Sequence, residues 1–214
     1  TFTELGDRIE FRTIHSLCQN IITYYCNAGN KIAFKIMTDT QISDAIRKIY
    51  MSMQNDYLKE NDLKEIKTLI TYCVNMEISQ GEIKNLNGDF EFDVLLKKYK
   101  EFKIQNKLMD FDDQLKFALT ILNNYNSILN YFQEKYMYIS VDEAQDTSKL
   151  QYDIINLIAS KYKNIFMVGD EDQSIYGFRA AFPQALLDFK KIYPNGVVLK
   201  MEQNYRSTKT IVDA

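Results

Sequence analysis

The 214-residue chain carries 26 basic and 29 acidic side chains, a net charge of −3, so any nucleic-acid binding would need a local patch and not bulk charge. Its hydrophobic share of 46% allows a sizeable core; no apolar run reaches the roughly 18 residues of a membrane helix, and no signal-peptide pattern opens the chain. A lone histidine, His15, excludes a His-rich metal site, three cysteines without a CxxC pair read as reduced thiols in a reducing compartment, and seven glycines with two prolines argue against an all-β fold.

Thr1-Phe2-Thr3 starts without methionine or lead-in, and the chain reads as a piece of something longer. Residues 9–14 alternate apolar and charged and predict a short strand, with a helix over 17–25. Between them lies Thr13-Ile14-His15-Ser16. Hydroxyls and an imidazole at a helix N-terminus can offer donors to a phosphate; alternatively Ser16 simply caps the helix and His15 is exposed.

Residues 30–107 change character. Apolar positions recur at three and four, as in Ile42, Ala45, Ile46 and Ile49, in Leu63, Ile66, Leu69 and Ile70, and in Leu95, Tyr99 and Phe102. The pattern predicts an all-helical block, a subdomain inserted into an α/β part, with a loop over 85–89. Lys97, Lys98, Lys100, Lys103 and Lys107 gather near its end, either as a basic face for duplex phosphates or as a solvated helix surface. Asp110, Asp112 and Asp113 follow; acids ahead of a helix pattern favour capping and helix-dipole complementation over metal binding.

Residues 136–141 form an apolar run that ends on Asp142-Glu143. A helix capped by Thr147 or Ser148, with core face Leu150, Ile154, Leu157 and Ile158, leads to a second apolar run over 165–168, ending on Gly169-Asp170. Strand, helix, strand predicts a parallel pair joined by a right-handed crossover, with ligand chemistry at the carboxyl ends. In nucleoside-triphosphate enzymes adjacent acids at such an end have a use: Asp142 to hold Mg²⁺, Glu143 to polarise an attacking water. Gln173 in the following loop could read a terminal phosphate or that water, and Tyr176 and Phe178 could stack bases with Arg179 on the backbone; the bland alternative is a polar loop pinned by two buried rings. Pro183 suits the first turn of a helix running to about residue 192, 193–196 reads as a turn, 197–199 as a third short strand, and Ser207 or Thr208 as the cap of a last helix.

These segments resemble a known family. Val141-Asp142-Glu143-Ala144-Gln145-Asp146-Thr147 is similar to the DExQDT Walker B motif (motif II) of UvrD/Rep-type superfamily 1 DNA helicases, and residues 168–181, VGDEDQSIYGFRAA, look like their motif III. Residues 201–207, MEQNYRS, resemble motif IV, residues 13–18, TIHSLC, the TFHSxC segment, and residues 110–113 the DFDDL segment. They occur in the family's order and span nearly the whole chain.

The resemblance implies an α/β fold: a partial RecA-like parallel sheet of the P-loop NTPase type at 1–29 and 108–214, with a 1B-like all-helical subdomain inserted at 30–107. It implies a fragment of an ATP-dependent helicase that couples hydrolysis to translocation on single-stranded DNA, 3′ to 5′, and unwinds duplex in repair or recombination. The cofactors would be ATP and Mg²⁺, and the partners single-stranded DNA, single-strand/duplex junctions and repair or recombination proteins, in the cytoplasm and without a membrane. Carried over position by position, Asp142 would hold Mg²⁺, Glu143 would be the catalytic base, and Gln173 would link the γ-phosphate to the DNA-binding loop. Arg206 would reach the γ-phosphate and Tyr205 would pack on adenine. His15, Ser16, Tyr176, Phe178 and Arg179 would meet DNA.

Departures bear on this reading. No GxxxxGK[ST] loop occurs in these residues, nor do motifs V and VI, so the fragment alone is expected to be inactive. Phe178 stands where the family often has Trp, Ala180 replaces a usual glycine, and Thr1-Phe2-Thr3 lies closer to Thr13 than the end of motif Ia usually does. The alternative is a non-catalytic, helicase-derived module that binds DNA or a protein.

Overall fold

The computed structural model describes residues 9–31, 34–86, 90–170, 173, 184–201, 203 and 207–208. It is a helix-rich α/β protein with two small parallel sheets.

Helix α1 (Ile14–Ala28) starts where Thr13, in extended conformation, accepts the Ser16 backbone N–H on its hydroxyl. Strand β1 (Lys35–Ile36) leads into α2 (Asp39–Gln54), α3 (Glu60–Asn75), the short α4 (Gln80–Lys84) and α5 (Phe92–Gln105), and β2 (Leu108–Met109) leads out. Capping boxes begin α2 at Thr38 with Gln41 and α4 at Ser79 with Glu82, so local chemistry dictates these starts. β1 and β2 pair in parallel, Lys35 beside Leu108 and Ile36 beside Met109. The chain therefore enters and leaves the α2–α5 block along neighbouring strands. That block has its own core of Met37, Ile46, Leu63, Ile66, Phe92, Leu95 and Tyr99, each at most 2% exposed.

A second core joins α1 to α6 (Phe111–Asn124), α7 (Asn126–Lys135) and α8 (Lys149–Ala159) through Cys18, Ile21, Leu115, Leu122, Leu150 and Ile154. Strand β3 (Ile139–Val141), a single 3-10 turn (Ala144–Asp146), α8 and β4 (Ile165–Met167) form a strand–helix–strand unit. β3 and β4 are parallel, with Ile139 beside Ile165 and Val141 beside Met167. Ser148 caps α8 in a reciprocal box with Gln151. Two short helices, α9 (Gln184–Leu187) and α10 (Phe189–Ile192), follow. Among the described residues no helix is long and apolar enough to cross a membrane.

Several expectations change. Residues 9–14 are not a strand: Ile14 already opens α1, Ile9 and Phe11 are exposed, and the segment is held by side chains, Glu10 to Arg12, Lys135 and the Tyr136 hydroxyl. The helix-start cap is Thr13, not Ser16. Strand β3 begins only at Ile139, because α7 runs to Lys135 and the Tyr136 N–H still donates to Phe132 C=O. Among the described residues, 197–199 join no ladder, and Val197 and Leu199 are largely exposed. The helix expected to run to residue 192 is broken at Asp188, where the backbone leaves helical geometry. The 30–107 block is not purely helical, since it carries β1 at its root.

Candidate functional site

The parallel ladder continues past the strands themselves. Val168 N–H donates to Val141 C=O and Ala144 N–H to Val168 C=O, both at 2.9 Å. These bonds hold residues 142–144 alongside 168–170, so two strand ends present their following residues together. Asp142 and Glu143 are exposed there. Glu143 takes a left-handed conformation, φ 49°, which costs energy for a side chain with a Cβ and turns the chain into the 3-10 helix. Asp142 Oδ1 accepts the Glu143 N–H at 3.0 Å.

Gln145 sits beneath them, 2% exposed. Its Nε2 donates to Glu143 Oε2 at 2.7 Å, and its Oε1 accepts the Asp170 N–H at 3.1 Å. Gly169 makes this approach possible: a Cβ there would lie 2.6 Å from Gln145 Oε1 and 3.2 Å from its backbone nitrogen. Gln173 completes the set, donating from Nε2 to Asp170 Oδ2 at 2.7 Å and from its N–H to Asp170 C=O at 3.1 Å. Glu143 and Gln173 are thus linked through Gln145 and Asp170, with Asp142 beside Glu143, at the carboxyl ends of β3 and β4. Tyr176, Phe178, Arg179, Tyr205 and Arg206 lie outside the described residues. Gln145, inside the quoted motif, received no role from the sequence; a lone amide between acids was the only signal.

The start of α1 adjoins this edge, since Ile14 packs against the small cluster of Val141, Ala144 and Ile155. His15 is half-buried, its ring edge-on to Phe111 with centroids 5.5 Å apart, and burial holds its pKa below the usual value. Burial thus disfavours the charged imidazole. Ser16 turns its hydroxyl to Arg12 Nη1 at 3.5 Å, and Arg12 is oriented by Glu10 at 2.7 Å. The guanidinium beside the helix start is a cation the motif comparison did not single out.

The lysine cluster divides. Lys97, Lys98, Lys100 and Lys107 are exposed, but Lys103 is 4% exposed and belongs to neither reading given above. Its ammonium lies 2.6 Å from both Asp110 Oδ2 and Asp113 Oδ2 and 4.4 Å from the Tyr99 ring centroid. Burial pushes the Asp110 carboxyl up, yet the Lys103 charge, aided by hydrogen bonds from Lys103, the Asp113 backbone contact and Tyr99, brings it net below the ordinary value. Burial and the Asp110 charge raise Asp112, which accepts from Thr71 Oγ1 at 2.9 Å and Asn75 Nδ2 at 2.6 Å. The three acids are a capping box and a buried network between α3, α5 and α6. Among the described residues no group of three or more His, Cys, Asp or Glu side chains is placed to hold a metal by itself.

The family model described as the UvrD/REP helicase N-terminal domain matches residues 2–194. The chain is 34% identical over 217 aligned residues to the ATP-dependent DNA helicase PcrA of Staphylococcus aureus strain Mu50, covering 98% of this chain and 30% of that protein. It is 34% identical over 206 residues to the PcrA of Staphylococcus epidermidis strain ATCC 12228, covering 94% of this chain and 28% of that protein. The chain thus spans less than a third of the length of these curated relatives.

Proposed function

Since the chain belongs to the UvrD/REP helicase N-terminal domain family, we propose that it supplies the hydrolytic half-site of an ATP-dependent DNA helicase that moves 3′ to 5′ on single-stranded DNA. The observation that carries this is the joint placement of Asp142, Glu143 and Gln173 at the carboxyl ends of two parallel strands. In this reading 1–29 and 108–214 are part of a RecA-like core and 30–107 is the inserted subdomain. The separate core of the α2–α5 block and its paired entry and exit strands support that division.

The residues fit a Mg²⁺–ATP complex. A metal carried largely by phosphate oxygens needs only one or two protein carboxylates, and the exposed Asp142, which among the described residues belongs to no group of three metal-binding side chains, suits that. Bound there, the ion would neutralise charge on the phosphates. Glu143, exposed just past the end of β3, accepts a proton from the attacking water. Gln173, hydrogen-bonded to Asp170, reports the state of the terminal phosphate to Tyr176, Phe178 and Arg179, which bind single-stranded DNA. His15 and Ser16 with Arg12 meet the DNA backbone at the start of α1. Tyr205 packs on adenine and Arg206 reaches the γ-phosphate. The whole protein acts in the cytoplasm, in repair or recombination, at single-strand/duplex junctions.

The test compares DNA-stimulated ATP hydrolysis by the full-length protein with that of these 214 residues alone. The proposal expects turnover from the former and none from the latter, because no GxxxxGK[ST] loop in these residues cradles the phosphates. A full-length protein that binds DNA without hydrolysing ATP would instead mark a non-catalytic module.

A further inference from the structure

Gln145 is a buried amide with its polar ends committed in different directions. Nε2 holds one oxygen of the Glu143 carboxylate at 2.7 Å, and Oε1 receives the Asp170 N–H at 3.1 Å from the neighbouring strand end. Merely filling this space would not need an amide, and a tie between the strand ends would need only the Asp170 bond. The second bond goes to an exposed, flexible side chain on a residue at φ 49°, outside any regular helix or strand that would orient it. Fixing such a chain costs rotamer entropy, which a partner already immobilised by burial offsets. Gly169 keeps the space over Oε1 open, since a Cβ there would come within 2.6 Å. Asp170 in turn holds Gln173 at 2.7 Å.

We propose that Gln145 is the positioning residue of this site, clamping the Glu143 carboxylate and tying it to the Asp170–Gln173 segment, so that the two strand ends present base and sensor as one unit. The inference rests on Glu143 being the base. In this role Gln145 acts through Glu143.

The experiment uses the full-length protein at saturating single-stranded DNA, with ATP-dependent rates and, separately, binding of a fluorescent non-hydrolysable ATP analogue. Gln145→Met keeps volume and removes the bonds to the Glu143 carboxylate and the Asp170 N–H. Gly169→Ala keeps every group of Gln145 but crowds its Oε1, 2.6 Å from the added Cβ, along with the Leu186 side chain at 2.8 Å. Because small misplacements of a reacting group cost one to two orders of magnitude, both variants are expected to lose about 10- to 100-fold in kcat, with KM and analogue affinity within about threefold of the parent. If Gln145→Met does not fold, Gly169→Ala carries the test. A folded variant with kcat within about twofold of the parent, or one whose analogue affinity falls in step with kcat, overturns the inference. Glu143→Gln, run alongside, separates the two claims. Normal hydrolysis by it removes the base and the inference with it, whereas its inactivity beside an active Gln145→Met removes the positioning role alone.

Discussion

The Ser148 hydroxyl, which caps α8 directly after the acidic motif, donates to Asn75 Oδ1 of α3 at 2.8 Å. Asn75 Nδ2 donates onward to Asp112 Oδ1 at 2.6 Å. One buried amide therefore joins the α2–α5 block to α6 and to the start of α8. Removing it leaves buried polar groups short of partners, so Asn75→Ala is expected to destabilise by about 1–3 kcal/mol in urea or thermal unfolding. Asn75→Asp should cost more than the alanine variant, because it sets a second carboxylate against Asp112. Equal melting temperatures for parent and alanine variant would contradict this.

Lys103 gives a sharper contrast with its exposed neighbours. Lys103→Met strands the buried Asp110 carboxylate and the half-buried Asp113 beside it, and is expected to cost about 3–5 kcal/mol. Lys97→Met, on the exposed face, should stay within about 0.5 kcal/mol of the parent. Denaturant midpoints for the pair read this directly, and equal midpoints would remove Lys103 from the network.

This comparison shows what was legible beforehand and what was not. Helical periodicity located the faces around Ile46, Ile66 and Leu95, because burial on one side of a helix writes itself at three- and four-residue spacing. The acids ending β3, and the parallel return strand, were equally readable, since a short apolar run closed by carboxylates has few other structural uses. Lys103 was not, because a lysine among lysines carries no mark of the acids that bury it seven and ten residues later. Residues 9–13 alternated like a strand, yet their fixed points are tertiary, the contacts of Glu10 with Lys135 and Tyr136. Gln145 stood inside a legible motif, but its role needs the spatial approach of Gly169 and Asp170.

Glu10 supplies a pH signature. Hydrogen bonds from Arg12, then Lys135 and Tyr136, lower its pKa from 4.5 to about 2. A carboxyl lowered in the folded state stabilises above its unfolded pKa, and that contribution fades as pH falls from about 4.5 through about 2. The group is partly exposed, so salt screens the effect. Carbon-detected NMR titration of the Glu10 carboxyl should show the low midpoint, moving upward in Arg12→Ala. A midpoint near the ordinary value would dissolve the anchor assigned to residues 9–13.

All three cysteines are buried and free of disulfides, and burial pushes the Cys18 thiol up to about 12 and raises Cys73. Thiolate is the reactive form, so a disulfide-exchange reagent should label none of them quickly at neutral pH and all three once the chain is unfolded. Fast labelling of Cys18 in the native protein would contradict the packing of α1 against α6.

The central claim is that Glu143 is the base of an ATP-hydrolysing site, and Glu143→Gln in the full-length protein tests it most directly. The amide keeps size and shape but cannot take up the water's proton. Single-stranded-DNA-stimulated hydrolysis should fall by at least about 100-fold while ATP binding, read by equilibrium titration, changes less than about threefold. Hydrolysis at the parental rate would contradict the account.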